Sequence, residues 1–255
     1  MPIELERVGE CAVMTVNRPD ALNALTFTLI REIGAAVDHV SASNARALVV
    51  TGAGDKAFCA GADIKELLGR SLLAQRQGTE LGQGVFAKLD RMRIPSVALI
   101  NGFAFGGGLE LALACTFRLA YPQAKLGLPE IKLGLMPGYG GTQRLSRLIG
   151  ESRALELILT GRTVSAAEAL QLGLVNRVLE NASLDTAVAF AREFCGFSLL
   201  ALQFAREAVQ RGAATTLEEG LRIEADLSTL AFQTADAAEG MNAFAQKRKP
   251  VFKDI

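Results

Sequence analysis

Two glutamates and two turns rich in small residues carry the chemistry that this sequence can offer. Glu110 ends the run Asn101-Gly-Phe-Ala-Phe-Gly106-Gly107-Gly108-Leu109-Glu110, which lies between the strand-like Ser96–Ile100 and the apolar run Leu111 to Leu113. Three consecutive glycines cost backbone entropy, so they point to unusual dihedrals or to a ligand lying against bare main chain. The order strand, glycines, helix aims the free N–H groups of a helix start at whatever sits in front. Glu110 falls in the first helical turn, where the helix dipole favours a carboxylate, and an ionised base is expected there beside a glycine amide. The same residues also suit a tight turn into a buried helix with an ordinary first-turn acid.

A second stretch repeats the pattern. Ala57-Phe-Cys-Ala-Gly61-Ala62-Asp63-Ile-Lys-Glu66 runs through small residues into a helix start, and Asp63 with Glu66 three residues on predicts a capping box. The amide of Ala62, just outside that helix, is then a second free donor, although a capped surface helix would look the same. Glu130 is flanked by Leu128, Pro129, Ile131 and Leu133. Partial desolvation would raise its pKa and suit it to act as an acid, against the commoner fate of a solvated loop glutamate.

These residues need a scaffold, and the pattern predicts an α/β one. Cys11 to Asn17 and Ala47 to Thr51 form strands, and between them Leu29, Ile33, Val37 and Val40 recur at helical spacing. Phe117 to Tyr121, Lys125 to Leu128 and Leu174 to Leu179 add short strands. Gly69 to Asp90 loses its periodicity around Gly78, Gly82 and Gly84, which predicts a mobile segment followed by a helix through Phe86 and Leu89. Gly138-Tyr-Gly140-Gly141-Thr142 lacks the Lys-Ser/Thr and the preceding strand of a phosphate loop, so a structural turn is expected, leading into a helix that Gly150 closes. Ser165 opens a further capped helix. Helices near 184–195, 199–211, 217–232 and 236–247 complete the chain, those from about 197 onward as an appendage to the α/β core.

Composition narrows the function. Half of the 255 residues are hydrophobic, enough for one large core. The 27 basic and 27 acidic residues cancel and leave no electrostatic footprint for nucleic acid or a membrane surface. Cys11, Cys59, Cys115 and Cys195 form no C-x-x-C and suggest reduced core thiols. His39 is the one histidine, placed among polar residues at a helix end, which excludes multi-histidine metal sites and leaves a Ser-His-Asp triad only that ill-placed candidate. The opening Met1-Pro-Ile-Glu-Leu-Glu has no targeting character, and no apolar run reaches the roughly 18–20 residues that span a bilayer. A cytoplasmic protein is expected.

Taken together, Ala60-Gly61-Ala62-Asp63-Ile64-Lys65, Gly106 to Glu110, Leu128-Pro129-Glu130, Pro137 to Leu145 and the tail from Glu239-Gly240-Met241 to Phe252 resemble the crotonase superfamily, and most of all its enoyl-CoA hydratases. The motifs recur in order from Asn17-Arg18-Pro19 to the C-terminus, so the likeness covers nearly the whole chain. It implies a spiral of repeated β-β-α units over residues 1–196 and a C-terminal helical region over 197–255 that assembles a homotrimer or a dimer of trimers. It also implies that the amides of Ala62 and Gly107 form an oxyanion hole for a thioester carbonyl. Glu110 would deprotonate the water that adds at C3, and Glu130 would protonate C2. The coenzyme A moiety would lie near Arg18 and Ala21 and along Ala60, Asp63, Ile64 and Lys65, helped by Phe244 and Lys247. The implied substrate is an acyl-CoA thioester, with no metal or redox cofactor.

Two rivals follow from the same residues. A Δ3,Δ2-enoyl-CoA isomerase, or a hydratase for branched or dicarboxylic acyl groups, would share the scaffold. An RNA-binding or structural role would need a basic face, for which Phe86 to Arg93 offers only Lys88, Arg91 and Arg93 beside Asp90.

Overall fold

The computed structural model describes residues 1–180 and 183–255. The chain opens with the antiparallel hairpin β1 (Ile3–Val8) and β2 (Cys11–Val16), followed by α1 (Phe27–Ser41). Three turns of a repeating unit come next. The first holds β3 (Ala47–Gly52), β4 (Ala57–Cys59), α2 (Ile64–Leu67) and α3 (Leu72–Arg91). The second holds β5 (Ser96–Ile100), β6 (Phe103–Phe105) and α4 (Gly107–Ala114). The third holds β7 (Phe117–Ala120), β8 (Lys125–Gly127) and a 3₁₀ turn at Pro129–Leu133. After these come α5 (Gly141–Ile149), α6 (Glu151–Thr160), β9 (Val164–Ser165), α7 (Ala166–Gln171), β10 (Arg177–Val178) and α8 (Leu184–Cys195). Helices α9 (Leu199–Gly212), α10 (Leu217–Phe232) and α11 (Ala235–Ala245) form the C-terminal region.

Each repeat gives one strand to each of two sheets. The larger runs β1-β2-β3-β5-β7-β10 and the smaller β4-β6-β8-β9, with β4, β6 and β8 parallel. Because those three strands are neighbours running the same way, the segments that leave their C-terminal ends emerge side by side. The first is Gly61-Ala62, the second Gly106-Gly107 and the third Pro129-Glu130, and the spiral thereby gathers the candidate residues from positions up to 68 apart in sequence (130 − 62).

The middle strands of the larger sheet, β2, β3, β5 and β7, are buried on both faces, which explains their mainly apolar sequences, while the edge strand β1 (Ile-Glu-Leu-Glu-Arg-Val) is largely exposed. Met14, Leu48, Val50, Ala98 and Ile100 share one core with Leu29, Ile33 and Val37 from the buried side of α1. The alternate residues Val13, Val49, Val97 and Leu99 face the other way, against Ala187, Val188 and Ala191 of α8. The period of two along each strand thus feeds two separate cores.

Three expectations are corrected. The segment from Gly69 to Asp90 is mostly one 20-residue helix, α3, capped by Ser71. Its periodicity is masked because Gly78 and Gly82 stand where large residues would be expected: a Cβ at Gly78 would overlap the Phe27 ring, and one at Gly82 the Tyr139 ring. The glycines let two aromatic rings approach the helix axis. The capping box at Asp63 is only half formed. Asp63 accepts from Lys65 N at 3.3 Å, whereas Glu66 turns away and accepts from Phe27 N at 2.7 Å, tying the start of α1 to α2. The strand predicted over Leu174 to Leu179 shrinks to Arg177–Val178, and β1, β4, β6 and β9 join those that the pattern had marked.

Candidate active site

Ala62 owes its free amide to a single parallel bridge. Leu25 donates to the Gly61 carbonyl at 2.8 Å and accepts from Asp63 N at 2.8 Å, so the residue between them points its own N–H the opposite way. Gly107 owes its free amide to being the first residue of α4, where no preceding turn can accept it. Among the described residues neither N–H has a hydrogen-bond partner, and both residues line one cavity of about 220 Å³. The preceding Gly106 sits at φ 49°, ψ −125°, a region closed to side chains, and a Cβ there would lie 2.9 Å from Glu130 Oε1. At Gly108 a Cβ would overlap the Cys59 carbonyl, so the close packing of α4 on β4 demands glycine too.

Glu110 is 1% exposed on the first turn of α4 and also lines the cavity. Its Oε1 accepts two backbone hydrogen bonds, from Tyr139 N and Gly141 N, each at 2.7 Å. The glycine turn expected to be structural therefore also holds a carboxylate. A Cβ at Gly141 would stand 2.9 Å from Glu110 Cγ and 3.0 Å from its Oε1, so that glycine is fitted to its task. The helix dipole alone would have kept Glu110 ionised well below neutrality. Burial outweighs it and pushes the carboxyl up to about 7, with the charge of Glu130 adding to the rise and the Gly141 and Tyr139 amides opposing it.

Glu130 enters from the 3₁₀ turn after β8. Its Oε2 is buried without a hydrogen-bond partner among the described residues. Desolvation raises its pKa, in the direction expected from its apolar neighbours. The rest of the cavity is walled by Leu67, Leu133, Leu135, Met136 and Tyr139, with Gln75 and Thr79 the polar contributions of α3.

Two carboxylates and two unused N–H donors therefore converge in a mainly apolar chamber, reached along a spiral of β-β-α turns. A sequence model of the enoyl-CoA hydratase/isomerase family matches residues 6–255. The chain is 45% identical over 250 residues to a probable enoyl-CoA hydratase of Rhizobium meliloti, covering 98% of this chain and 96% of that one. It is 43% identical to the crotonyl-CoA hydratase of Syntrophomonas wolfei, with 98% and 97% covered. The crystal structure of an enoyl-CoA hydratase from Bacillus anthracis superposes over the full length of both chains with a TM-score of 0.95 at 38% identity. The chain belongs to the enoyl-CoA hydratase/isomerase family.

Within this family member the remaining candidate residues fall into two groups. Ala60 and Ile64 line the cavity, while Arg18 bonds the Ala24 carbonyl at 2.5 Å and pairs with Asp63 at 3.4 Å, bracing the loop that ends in Ala62. Ala21 closes the neighbouring 3₁₀ turn Pro19–Ala21, and Lys65 is exposed on α2. Phe244 and Lys247 lie apart, exposed on and just beyond α11, and do not line this cavity of their own chain. The amides of Tyr139 and Gly141 are the site groups that sequence reasoning missed. The signal was a glycine pair ahead of a helix, and nothing local says which side chain 30 residues away will use it.

Proposed function

We infer that this protein is an enoyl-CoA hydratase, adding water reversibly across the C2–C3 double bond of a trans-2-enoyl-CoA thioester to give the 3-hydroxyacyl thioester. The single observation that carries this reading is the presence of both carboxylates in one cavity with both unbonded amides. The names of the relatives, hydratases of enoyl- or crotonyl-CoA, supply the substrate class.

The chemistry follows from the geometry. The thioester carbonyl accepts from Ala62 N–H and Gly107 N–H, which are fixed before substrate arrives and stabilise the oxygen as it gains charge, at roughly 3–4 kcal/mol per donor. Glu110, held by Tyr139 N and Gly141 N, takes a proton from water as its oxygen bonds to C3. The C2–C3 π electrons move towards the carbonyl, and Glu130 gives C2 a proton as the enolate collapses. One proton is taken up and one given, so solvent exchange alone resets the pair. Both carboxylates belong to the same cavity, which accords with addition to one face. Acid–base assistance of this kind contributes about 10²–10⁴-fold. Arg18, Ala21, Ala60, Asp63, Ile64 and Lys65 surround the route by which the coenzyme A portion would extend, and no cofactor is required.

The C-terminal helices present a large apolar surface: Leu217 is 80% exposed, Phe244 is 87% exposed, and Leu221, Leu230, Phe232 and Met241 are open as well. Such patches call for a partner, and we assign it to further copies of this chain in a homotrimer or dimer of trimers, which could bring Phe244 and Lys247 to a substrate. Sedimentation velocity tests this directly; a monomer at working concentration contradicts it. Four buried free cysteines support a reducing, cytoplasmic setting, which cell fractionation would test. Among the described residues no single helix is long and apolar enough to cross a membrane.

Absorbance separates hydration from isomerisation. Addition of water removes the conjugated enoyl absorbance of crotonyl-CoA, and that loss is expected. Failure to remove it, together with its appearance from a 3-enoyl thioester, would overturn the assignment.

A further inference from the structure

A second cavity, of about 350 Å³, opens at the other end of α4, and it is lined by four arginines, Arg118, Arg144, Arg147 and Arg206, and one carboxylate, Asp90. It shares no lining residue with the reaction cavity. Four positive charges against one leave a formal excess of three (4 − 1), in a protein whose overall charge is zero.

Among the described residues only Arg144 of the four is paired with a carboxylate. Arg144 takes Asp90 in both arms, Nη2 to Oδ2 at 2.5 Å and Nε to Oδ1 at 3.3 Å. Arg147 reaches back to Gln143 on its own helix. Arg206 donates to the Ile94 carbonyl at 2.8 Å and the Thr116 hydroxyl at 3.5 Å. Arg118 is the most constrained, 5% exposed on β7, with Nε on the Leu174 carbonyl and Nη1 on the Cys115 carbonyl. Its Nη2 has no acceptor among the described residues.

A guanidinium taken out of water needs acceptors for its five N–H groups, and neutral carbonyls do not offset the loss of hydration as an anion does. Desolvation accordingly makes the protonated forms of both Arg118 and Arg206 harder to hold. Guanidinium forks match the oxygens of a tetrahedral oxyanion, two to a side. The α4 carbonyl end, which would repel an anion, is partly covered because Arg118 Nη1 already occupies the Cys115 carbonyl.

We propose that this arginine-lined cavity is an anion site, separate from the reaction cavity, that takes phosphate or a phosphate monoester between Arg118, Arg206 and Arg147. The ligand supplies the negative charge that Thr116, at the wall beside Arg206, does not.

Calorimetric titration of inorganic phosphate into the intact protein, with chloride matching the ionic strength, tests the site. One saturable site per chain is expected, with Tm raised by about 3–5 °C when phosphate stands at about ten times its Kd. Arg206→Gln should weaken phosphate at least about tenfold by removing one charge-assisted fork. Thr116→Asp should weaken it comparably while raising the Tm of the phosphate-free protein, because the new carboxylate sits where the anion would. Phosphate that bound in the reaction cavity would survive both substitutions, and that result overturns the proposal. So does the absence of saturable binding in the wild type, the outcome expected if a carboxylate from a second copy already fills the cavity.

Discussion

Glu110 and Glu130 reach one cavity from two neighbouring turns of the spiral, yet their supports differ in kind. Glu110 grows from a regular helix and has one oxygen clamped by two backbone amides, so its position is fixed and its anion is solvated by the protein. Glu130 grows from a five-residue 3₁₀ turn, and its Oε2 is buried with no donor to accept from among the described residues. Both carboxyls are raised above the ordinary range by burial. Part of the rise at Glu110 comes from the charge on Glu130, so a proton on Glu130 eases the ionisation of Glu110. Amides that stabilise an anion favour charge on Glu110, and an unpartnered buried oxygen favours the proton on Glu130. A fixed base and a protonated acid thus arise where desolvation raises both carboxyls and the hydrogen bonding differs.

The largest expected effects come from removing either partner. Glu110→Gln and Glu130→Gln should each fold as the wild type does and lose at least about 10²-fold in turnover of crotonyl-CoA, roughly 3 kcal/mol of barrier. A near-native rate in either variant removes that residue from the mechanism. A smaller effect probes the clamp alone. Gly141→Ala puts a methyl against Glu110 Cγ and Oε1 without touching Glu130. It should lower kcat about tenfold with KM little changed, since the base is displaced by a fraction of an ångström rather than removed. An unchanged kcat would mean that the two amides do not set the position of Glu110.

Much of this arrangement can be read from the chain, and what cannot has physical causes. Ala62, Gly107 and Glu110 stand at strand-to-helix junctions, where local rules on free amides apply, and Glu130 carries its apolar neighbours beside it in sequence. The spiral itself came through resemblance, since pairing of β4, β6 and β8 is a long-range fact that three-residue strands do not announce. Helix α3 was obscured by glycines whose purpose lies in the Phe27 and Tyr139 rings that pack on them. Local spacing points Glu66 to its own helix, whereas the donor it takes, Phe27 N, is 39 residues away. The helix dipole at Glu110 favours the anion as its place in the first turn implies, but desolvation, which depends on everything packed around the carboxyl, is larger.

The pH dependence of kcat/KM for crotonyl-CoA, measured in the wild type and in both glutamine variants, tests the division of roles most directly. The wild type should give a bell, its rising limb set by ionisation of Glu110, which burial holds above the ordinary carboxylate range, and its falling limb by loss of the proton on Glu130. Residual activity of Glu110→Gln should lack the rising limb and that of Glu130→Gln the falling one. Limbs lost in the opposite order, or a bell that persists unchanged in both variants, would contradict the assignment of base and acid.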